Sequence, residues 1–394
     1  MTAQELLSNK NFENINYQMN TSSNIIKIIG VGGGGGNAVN NMYNDGVEDV
    51  TFVLCNTDDQ ALQQSPISNQ ILLGKNTTGG WGAGNDPKKA REAAESSLPE
   101  IEDMLKNNTR MAFITAGMGG GTGTGAAPVI AEACHRLDIL TVGIVTIPFA
   151  FEPKKKMQQA IAGIVEMSPF LDALLVIRND KIPVVYPDAT LATFTKYADK
   201  ILASAAMGIV EIITKHGYIN VDFADVFTTL KKGGRTVMDS GFGSGEHRVG
   251  NAIKDALSSP LLYDFDIKKS KKVLLVIYTS TTNEITAAEL NEITEFMSTL
   301  DDEIDFIWGA FYDDTLGDRI KITLIATGAA VSGVMPEELG EMEKIIQHEN
   351  DKTKEEIPQA EPFNPNNEQY SLADLDDEGK LVYIQNTPAY QRVC

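Results

Sequence analysis

The sequence predicts an α/β protein: a doubly wound parallel sheet, a long helix, and then a smaller α+β block. Three observations lead there. Short β-branched runs alternate with amphipathic stretches through the first half of the chain. Those runs are apolar on both faces, as strands covered by helices on both sides must be. A glycine-rich turn twice joins a strand to a helix. At 394 residues the chain has room for roughly two domains, or three at most. Its 42% hydrophobic content supplies buried cores and excludes wholesale disorder.

Residues 1–23, rich in Asn, Ser and Gln, read as a polar arm. Strands are expected at 25–29, 50–55, 70–73, 111–116, 140–147 and 173–177, with helices at 37–44, 87–106, 124–137 and 154–167. Together they make a first domain over 24–189. Residues 190–215 carry an Ala-rich helical pattern that would extend about 39 Å, a rod between two blocks. The second domain, 216–330, reads as a helix at 247–258, a strand at 273–280, a helix near 285–299 and strands at 305–311 and 319–328. The aromatics of 305–312, like the 13 methionines, read as packing residues. From Val331 onward the chain has 14 acidic against 5 basic residues, so 331–384 reads as a solvated acidic linker. The end, 385–394, regains Pro388, Tyr390 and Arg392, and its composition suits a docking peptide and a frayed terminus equally.

Overall charge narrows the partners. With 54 acidic and 33 basic residues the net charge is −21, which argues against nucleic acid and anionic lipid surfaces. Any phosphate must then be held by backbone N–H groups or a metal. Cys55, Cys134 and Cys394 show no CxxC spacing, and the 4 His show none of a zinc site, so no protein-held metal is expected. The N-terminal stretch lacks the pattern of a secretory leader, and no apolar run reaches the ~18 residues of a membrane span. A cytoplasmic location without membrane insertion is the expectation.

Two loops suit phosphate. Gly30 to Asn40 places five successive glycines, Gly32 to Gly36, between a strand and a helix, where N–H groups converge on an anion. The same segment fits GxGxxG through Gly30, Gly32 and Gly35, and Asp58 and Asp59 follow the second strand, so a dinucleotide-binding oxidoreductase is a rival reading. The second loop decides between them. Gly117 to Gly125 repeats the strand–glycine–helix logic and adds two hydroxyls, Thr122 and Thr124. Two such loops facing each other suit a triphosphate, and residues 79–85 offer a flexible third lip. No GxxxxGK[ST] is present, which excludes an ordinary P-loop enzyme.

None of these loops supplies a group to orient water. Asp222 and Asp225 could, since their i, i+3 spacing puts both carboxylates on one face of a helix starting there. The plainer alternative is a helix cap.

The motifs GVGGGGGNAVN (30–40), NTDDQAL (56–62), GAGNDP (82–87), AGMGGGTGTGAAP (116–128), PFAFE (148–152), NVDFADV (220–226) and SGEHR (244–248) resemble the bacterial division GTPase family FtsZ, of the tubulin superfamily. The likeness runs from about residue 25 to 328. It implies a GTPase that forms head-to-tail filaments and a ring at the mid-cell division site, with GTP or GDP bound and Mg²⁺ held mainly by phosphates and water. It implies that Gly33, Gly34, Gly35, Gly36 and Asn37, with Gly119, Gly120, Gly121, Thr122, Gly123 and Thr124, hold the phosphates. Asn56 and Asp58 join the nucleotide site, Glu152 takes the ribose, and Asn179 and Asp199 read the guanine edge. Asn220, Asp222 and Asp225 then complete the neighbouring subunit's site. A filament-forming homologue with little hydrolysis is the non-enzymatic alternative.

Three departures stand out. Lys156 occupies the place of the family's usual Arg, keeping charge but losing bidentate geometry. Thr195 stands where an aromatic usually stacks on the base, with Phe194 one place earlier. The C-terminal TPAYQR keeps a version of the peptide that docks to a division adaptor such as FtsA.

Overall fold

The computed structural model describes residues 25–258 and 267–328. The chain opens with β1 (Ile26–Val31), α1 (Gly32–Asn44), β2 (Thr51–Asn56), α2 (Asp59–Gln63) and β3 (Gln70–Leu72). There follow α3 (Pro87–Ser96), α4 (Leu98–Lys106), β4 (Met111–Gly117), α5 (Thr122–Arg136), β5 (Leu140–Ile147), α6 (Lys154–Met167) and β6 (Ala173–Arg178). A short α7 (Ile182–Val185) leads into α8 (Leu191–Thr214) and α9 (Phe223–Leu230). The rest is β7 (Gly234–Gly243), α10 (Arg248–Leu257), β8 (Lys272–Thr279), α11 (Ala287–Met297), β9 (Asp305–Tyr312) and β10 (Ile320–Thr327).

The strands form a 10-stranded sheet in the order β3-β2-β1-β4-β5-β6-β7-β10-β8-β9. Pairing is parallel from β3 to β7, and β10 runs antiparallel to both of its neighbours. The second block therefore continues the first sheet: Ala173 pairs with Gly234 and Leu174 with Arg235.

Period-two alternation explains why these strands looked apolar throughout. Ile26 and Ile28, Met111 and Phe113, and Val142 and Ile144 face one core, which α1 and α8 cover. Ile29 and Val31, Ala112 and Ile114, and Val145 and Ile147 face the other, closed by α3, α4, α5 and α6. Along α8 the residues Ala198, Leu202, Ala206, Ile209 and Val210 form one buried stripe at helical spacing. Its Gly208 sits where Met238 of β7 packs in. Cys55 and Cys134 are buried free thiols, and burial pushes each up to about 12, so both are inert packing residues.

Several boundaries move. The expected helix at 37–44 starts at Gly32, because the glycines themselves form its first turns. The expected helix at 87–106 is two, broken at Ser97. Pro99 causes the break, since it has no N–H to give and its ring would collide with a carbonyl one turn back. Strand β7 had no sequence signal: GRTVMDSGFG is glycine-rich and is held extended by its ladder to β10. The arm 1–23, the linker 331–384 and the terminal peptide 385–394 lie outside the described residues.

Asp172 secures the junction between the blocks. Its carboxylate accepts from the Thr141 N–H (3.1 Å), the Lys232 N–H (3.3 Å) and the Lys231 ammonium (3.4 Å). Removing it strands two N–H groups at the joint between β5, β6 and β7 and leaves Asp138 as the carboxylate paired with Lys231. Asp172→Ala is expected to lower the unfolding free energy by about 2–3 kcal/mol, measured by urea denaturation; a loss within the fitting error would show that the joint does not depend on this carboxylate.

Candidate nucleotide site

The sheet's order reverses between β1 and β4, which are parallel neighbours. In such sheets the crevice beyond the carboxyl ends of the strands, at that reversal, is where ligands bind. Here both glycine loops leave the sheet at that point. β1 passes directly into α1, with Gly33, Gly34 and Asn37 exposed, while Gly35 is buried and Gly36 half-buried. β4 passes through Gly119, Gly120 and Gly121 into α5. The first turns of two helices thus present unsatisfied N–H groups side by side.

The loops touch. A Cβ on Gly32, whose φ is +71°, would sit 3.0 Å from the Gly123 nitrogen and 3.1 Å from the Thr122 Cβ. Gly119, with φ +101°, passes so near Pro148 and the Lys156 carbonyl that a Cβ would come within 2.6 Å and 2.9 Å of them. Both positions demand glycine for conformation and for space. The two hydroxyls take different places. Thr122 lies at the rim, its Oγ1 2.7 Å from that of Thr57. Thr124 is 3% exposed and accepts from the Gly119 N–H (2.9 Å), so it braces the loop from beneath. Thr57 was not singled out from sequence, and only its pairing with Thr122 brings it to the site.

Around this cradle, Asn56 ends β2 and accepts from the Asp58 N–H (3.3 Å), while Asp58 caps α2 by accepting from the Ala61 N–H (3.2 Å). The third lip folds back onto Asp58 through a bridge to Trp81, whose side chain is 91% exposed. Glu152 accepts from the Phe149 N–H (3.0 Å) and the Lys156 ammonium (2.8 Å), so Lys156 is committed to the carboxylate one turn away.

Two acceptors stand further out. Asn179 is 7% exposed, and its Oδ1 finds no hydrogen-bond partner among the described residues. Asp199, on α8, is half-buried; burial pushes its carboxyl up to about 6, against a hydrogen bond from the Asn37 side chain that lowers it. That contact ties the phosphate-side helix α1 to α8. The buried Asn179 oxygen is an unmet acceptor, and the desolvated Asp199 carboxylate has acceptor capacity beyond its one bond from Asn37, an arrangement that suits a ligand edge rich in N–H donors. No ring takes the place of Thr195, which is exposed and bonds the Ala192 carbonyl (3.1 Å). Phe194 turns into a small cluster with Phe149, Ile182 and Ala198.

Asn220, Asp222 and Asp225 are elsewhere. Asp222 caps α9 by accepting from the Asp225 N–H (2.9 Å), and Asp225 accepts from the Asp222 N–H (3.0 Å). This is a complete capping box, so the local structural role weighed from sequence is real. Asn220 accepts from the Gly217 N–H (3.2 Å). The run of α8 from Asp199 to Thr214 spans about 22 Å at 1.5 Å per residue. The far end of α9 meets the amino edge of the sheet, where Lys231 lies 3.4 Å from both Asp138 and Asp172, which precede β5 and β6. The phosphate loops and these carboxylates therefore occupy opposite ends of one molecule. Among the described residues no group of three His, Cys, Asp or Glu side chains could hold a metal, and no helix is long and apolar enough to cross a membrane.

Comparison with known proteins agrees with this geometry. Residues 25–187 match the Tubulin/FtsZ family GTPase domain, and residues 234–330 match the FtsZ family C-terminal domain. The cell division protein FtsZ of Porphyromonas gingivalis is 43% identical over 400 residues, covering 96% of this chain and 88% of that protein. That of Coxiella burnetii is 41% identical over 305 residues, 77% of this chain and 78% of its own. A solved FtsZ dimer from M. jannaschii superposes with a TM-score of 0.72 at 37% identity, covering 82% of this chain and 91% of that one. CetZ2 from Haloferax volcanii, at 19% identity and a TM-score of 0.67, shares the fold. These findings do not favour the dinucleotide oxidoreductase. With a GTPase-domain match, a C-terminal-domain match and close relatives over most of its length, the chain belongs to the FtsZ family of tubulin-like GTPases.

Proposed function

We propose that this chain is a GTP-dependent polymerising protein of cell division whose molecules stack head to tail, each completing the next one's hydrolytic site. One observation carries the reading: the nucleotide cradle and the carboxylate loop lie at opposite ends of α8. A contact that joins unlike ends is heterologous and propagates as an open filament. The dimer solved for an M. jannaschii relative supports self-association.

The family resemblance supplies the roles, and the geometry is compatible with them. The N-termini of α1 and α5, through Gly33 to Asn37 and Gly120 to Thr122, donate to phosphate oxygens without a lysine. Glu152, steadied by Lys156, takes ribose hydroxyls. Asn179 and Asp199 accept from the guanine N1–H and N2–H₂, donors that adenine does not offer at the same places. From the neighbouring molecule, Asp222 and Asp225 orient a water in line with the γ-phosphorus. That water's oxygen bonds the phosphorus as the β–γ bridging bond breaks, giving GDP and phosphate. Mg²⁺, when it accompanies the nucleotide, would offset phosphate charge with phosphate oxygens and water as its ligands. The terminal residues 385–394 are the segment for a division adaptor such as FtsA, and mid-cell is the expected location.

Three outcomes test the reading. Turnover per molecule is expected to collapse on dilution below the assembly threshold, followed by phosphate release alongside light scattering; a constant specific rate in monomeric protein would exclude a shared site. Asp222→Asn and Asp225→Asn retain capping geometry, so folding stability is expected to hold while turnover drops about a hundredfold and GDP binding is unchanged. Unaltered turnover in both would remove the loop from the mechanism. Asp199 must be charged to accept from guanine, and its free carboxyl titrates at about 6. GDP affinity is therefore full above that pH and declines below it, by about tenfold per unit. Asp199→Asn is expected to bind more weakly at neutral pH and to keep only the phosphate titration; calorimetric profiles that coincide for the two proteins would rule out this role.

A further inference from the structure

The loop carrying Asn220 and Asp222 is held by contacts outside the capping box. Ile219 lies against the end of β9 as an isolated antiparallel bridge, its N–H donating to the Ala310 carbonyl (3.2 Å) and its carbonyl accepting from the Ala310 N–H (2.9 Å). Gly217 approaches that same Ala310 carbonyl so closely that a Cβ would collide with it. Beside this bridge the ring of Tyr218 stacks on the ring of Tyr312, with centroids 4.5 Å apart and planes at 26°. The Tyr312 hydroxyl donates to Glu284 Oε1 at 2.5 Å. The Glu284 carbonyl accepts from Arg248 Nη2 (2.9 Å), and Arg248 is buried and paired with Glu289 (2.6 Å). A continuous line of contacts thus runs from the loop to a fixed charge pair inside the second block.

The two rings do not serve as core. Tyr218 remains 40% exposed and Tyr312 43% exposed, unlike Phe311 beside them, which is fully buried. The sequence reading that assigned the 305–312 aromatics to packing holds for Phe311 but not for Tyr312. An exposed stack tethered at one hydroxyl is poorly suited to filling volume and well suited to setting the direction of a loop.

We propose that Tyr218 and Tyr312, tethered by Glu284, are positioning residues for hydrolysis: they fix the 217–222 loop against β9, so that the Asn220, Asp222 and Asp225 side chains meet the adjoining molecule's nucleotide in one orientation. This rests on the shared-site reading above. The line acts on the aim of the carboxylates and not on nucleotide affinity, because the cradle lies at the other end of α8. The hydrogen bond to Glu284 also holds the Tyr312 phenol up at about 12, so it stays a donor wherever the protein is active.

The test is GTP turnover divided by sedimented polymer, together with GDP affinity. Tyr312→Ala is expected to keep GDP affinity and the assembly threshold but to lose about tenfold in turnover per polymerised subunit. Tyr218→Ala loses the same factor, and the double variant loses no more than either, because the stack is one unit. Tyr312→Phe, which keeps the stack but loses the tether to Glu284, recovers only part of the rate. Unchanged turnover per polymerised subunit in Tyr312→Ala overturns the proposal, as do fully additive losses or failure of the variant to polymerise, which would make the rings interface or folding residues. Asp225→Asn, assayed in parallel, separates the two levels. If it loses turnover and Tyr312→Ala does not, only the positioning role falls; if it keeps turnover, the shared site falls first.

Discussion

A helix cannot fold back on itself, and α8 holds the phosphate cradle and the carboxylate loop apart for that reason. Its 24 residues make a rod of about 36 Å, pinned along one stripe to the sheet by Ala198, Leu202, Ala206, Ile209 and Val210. Near its start Asp199 meets Asn37 of the phosphate-side helix, and just past its end the chain turns into the loop that carries Asn220, Asp222 and Asp225. Five buried positions on one face leave the rod no freedom to bow. Nothing short of unpacking the first block could bring the carboxylates to the phosphates of the same molecule. On the proposed mechanism, the need for a second copy is a property of this one element.

Charge arithmetic adds a second constraint. The chain carries −21 overall, yet its cradle is for a polyanion, and the carboxylates delivered to it are anionic as well. At an effective dielectric of 20, two unit charges 4 Å apart repel by about 4 kcal/mol. A helix N-terminus returns at most about 2 kcal/mol, so the first turns of α1 and α5 offset roughly one such repulsion and no more. On the proposed reading, the remainder falls to a cation that travels with the nucleotide, and the interface is tied to what the nucleotide brings with it.

Legibility from sequence followed the range of the physics. The buried parallel strands were plain, because burial on both faces leaves unbroken apolar runs. The glycine loops were plain too, since few other structures use five glycines in succession. The start of α1 was misplaced for the same reason: glycine is a weak helix former, and here close packing of Gly34 and Gly35 against β4 overrides it. β7 was invisible because its ladder partners, not its residues, make it a strand. Asn179, Asp199 and Glu152 had no local pattern and were reached only through the family resemblance. Thr57 and Tyr312 were out of reach by any route short of the fold, because their partners, Thr122 and Tyr218, lie in distant segments.

The residues of the candidate site also share a habit that explains why a plain reading always competed with a chemical one. Asp58 caps α2, Asp222 and Asp225 box the start of α9, and Thr124 closes its own loop. Each is placed by a local hydrogen bond that would exist without any ligand. Capping uses only part of a carboxylate's acceptor capacity, and Asp222 keeps the rest facing solvent. A cap therefore fixes where the charge sits while leaving it free to act on a ligand or a neighbour. Asn179 and Asp199 are the exceptions: no cap holds them, the Asn179 oxygen has no partner among the described residues, and Asp199 has only the Asn37 side chain in partly desolvated surroundings. Their cost is borne by the packing of α8 and β6, so the end proposed to read the base depends on the core, and the end proposed to act in hydrolysis depends on local turns.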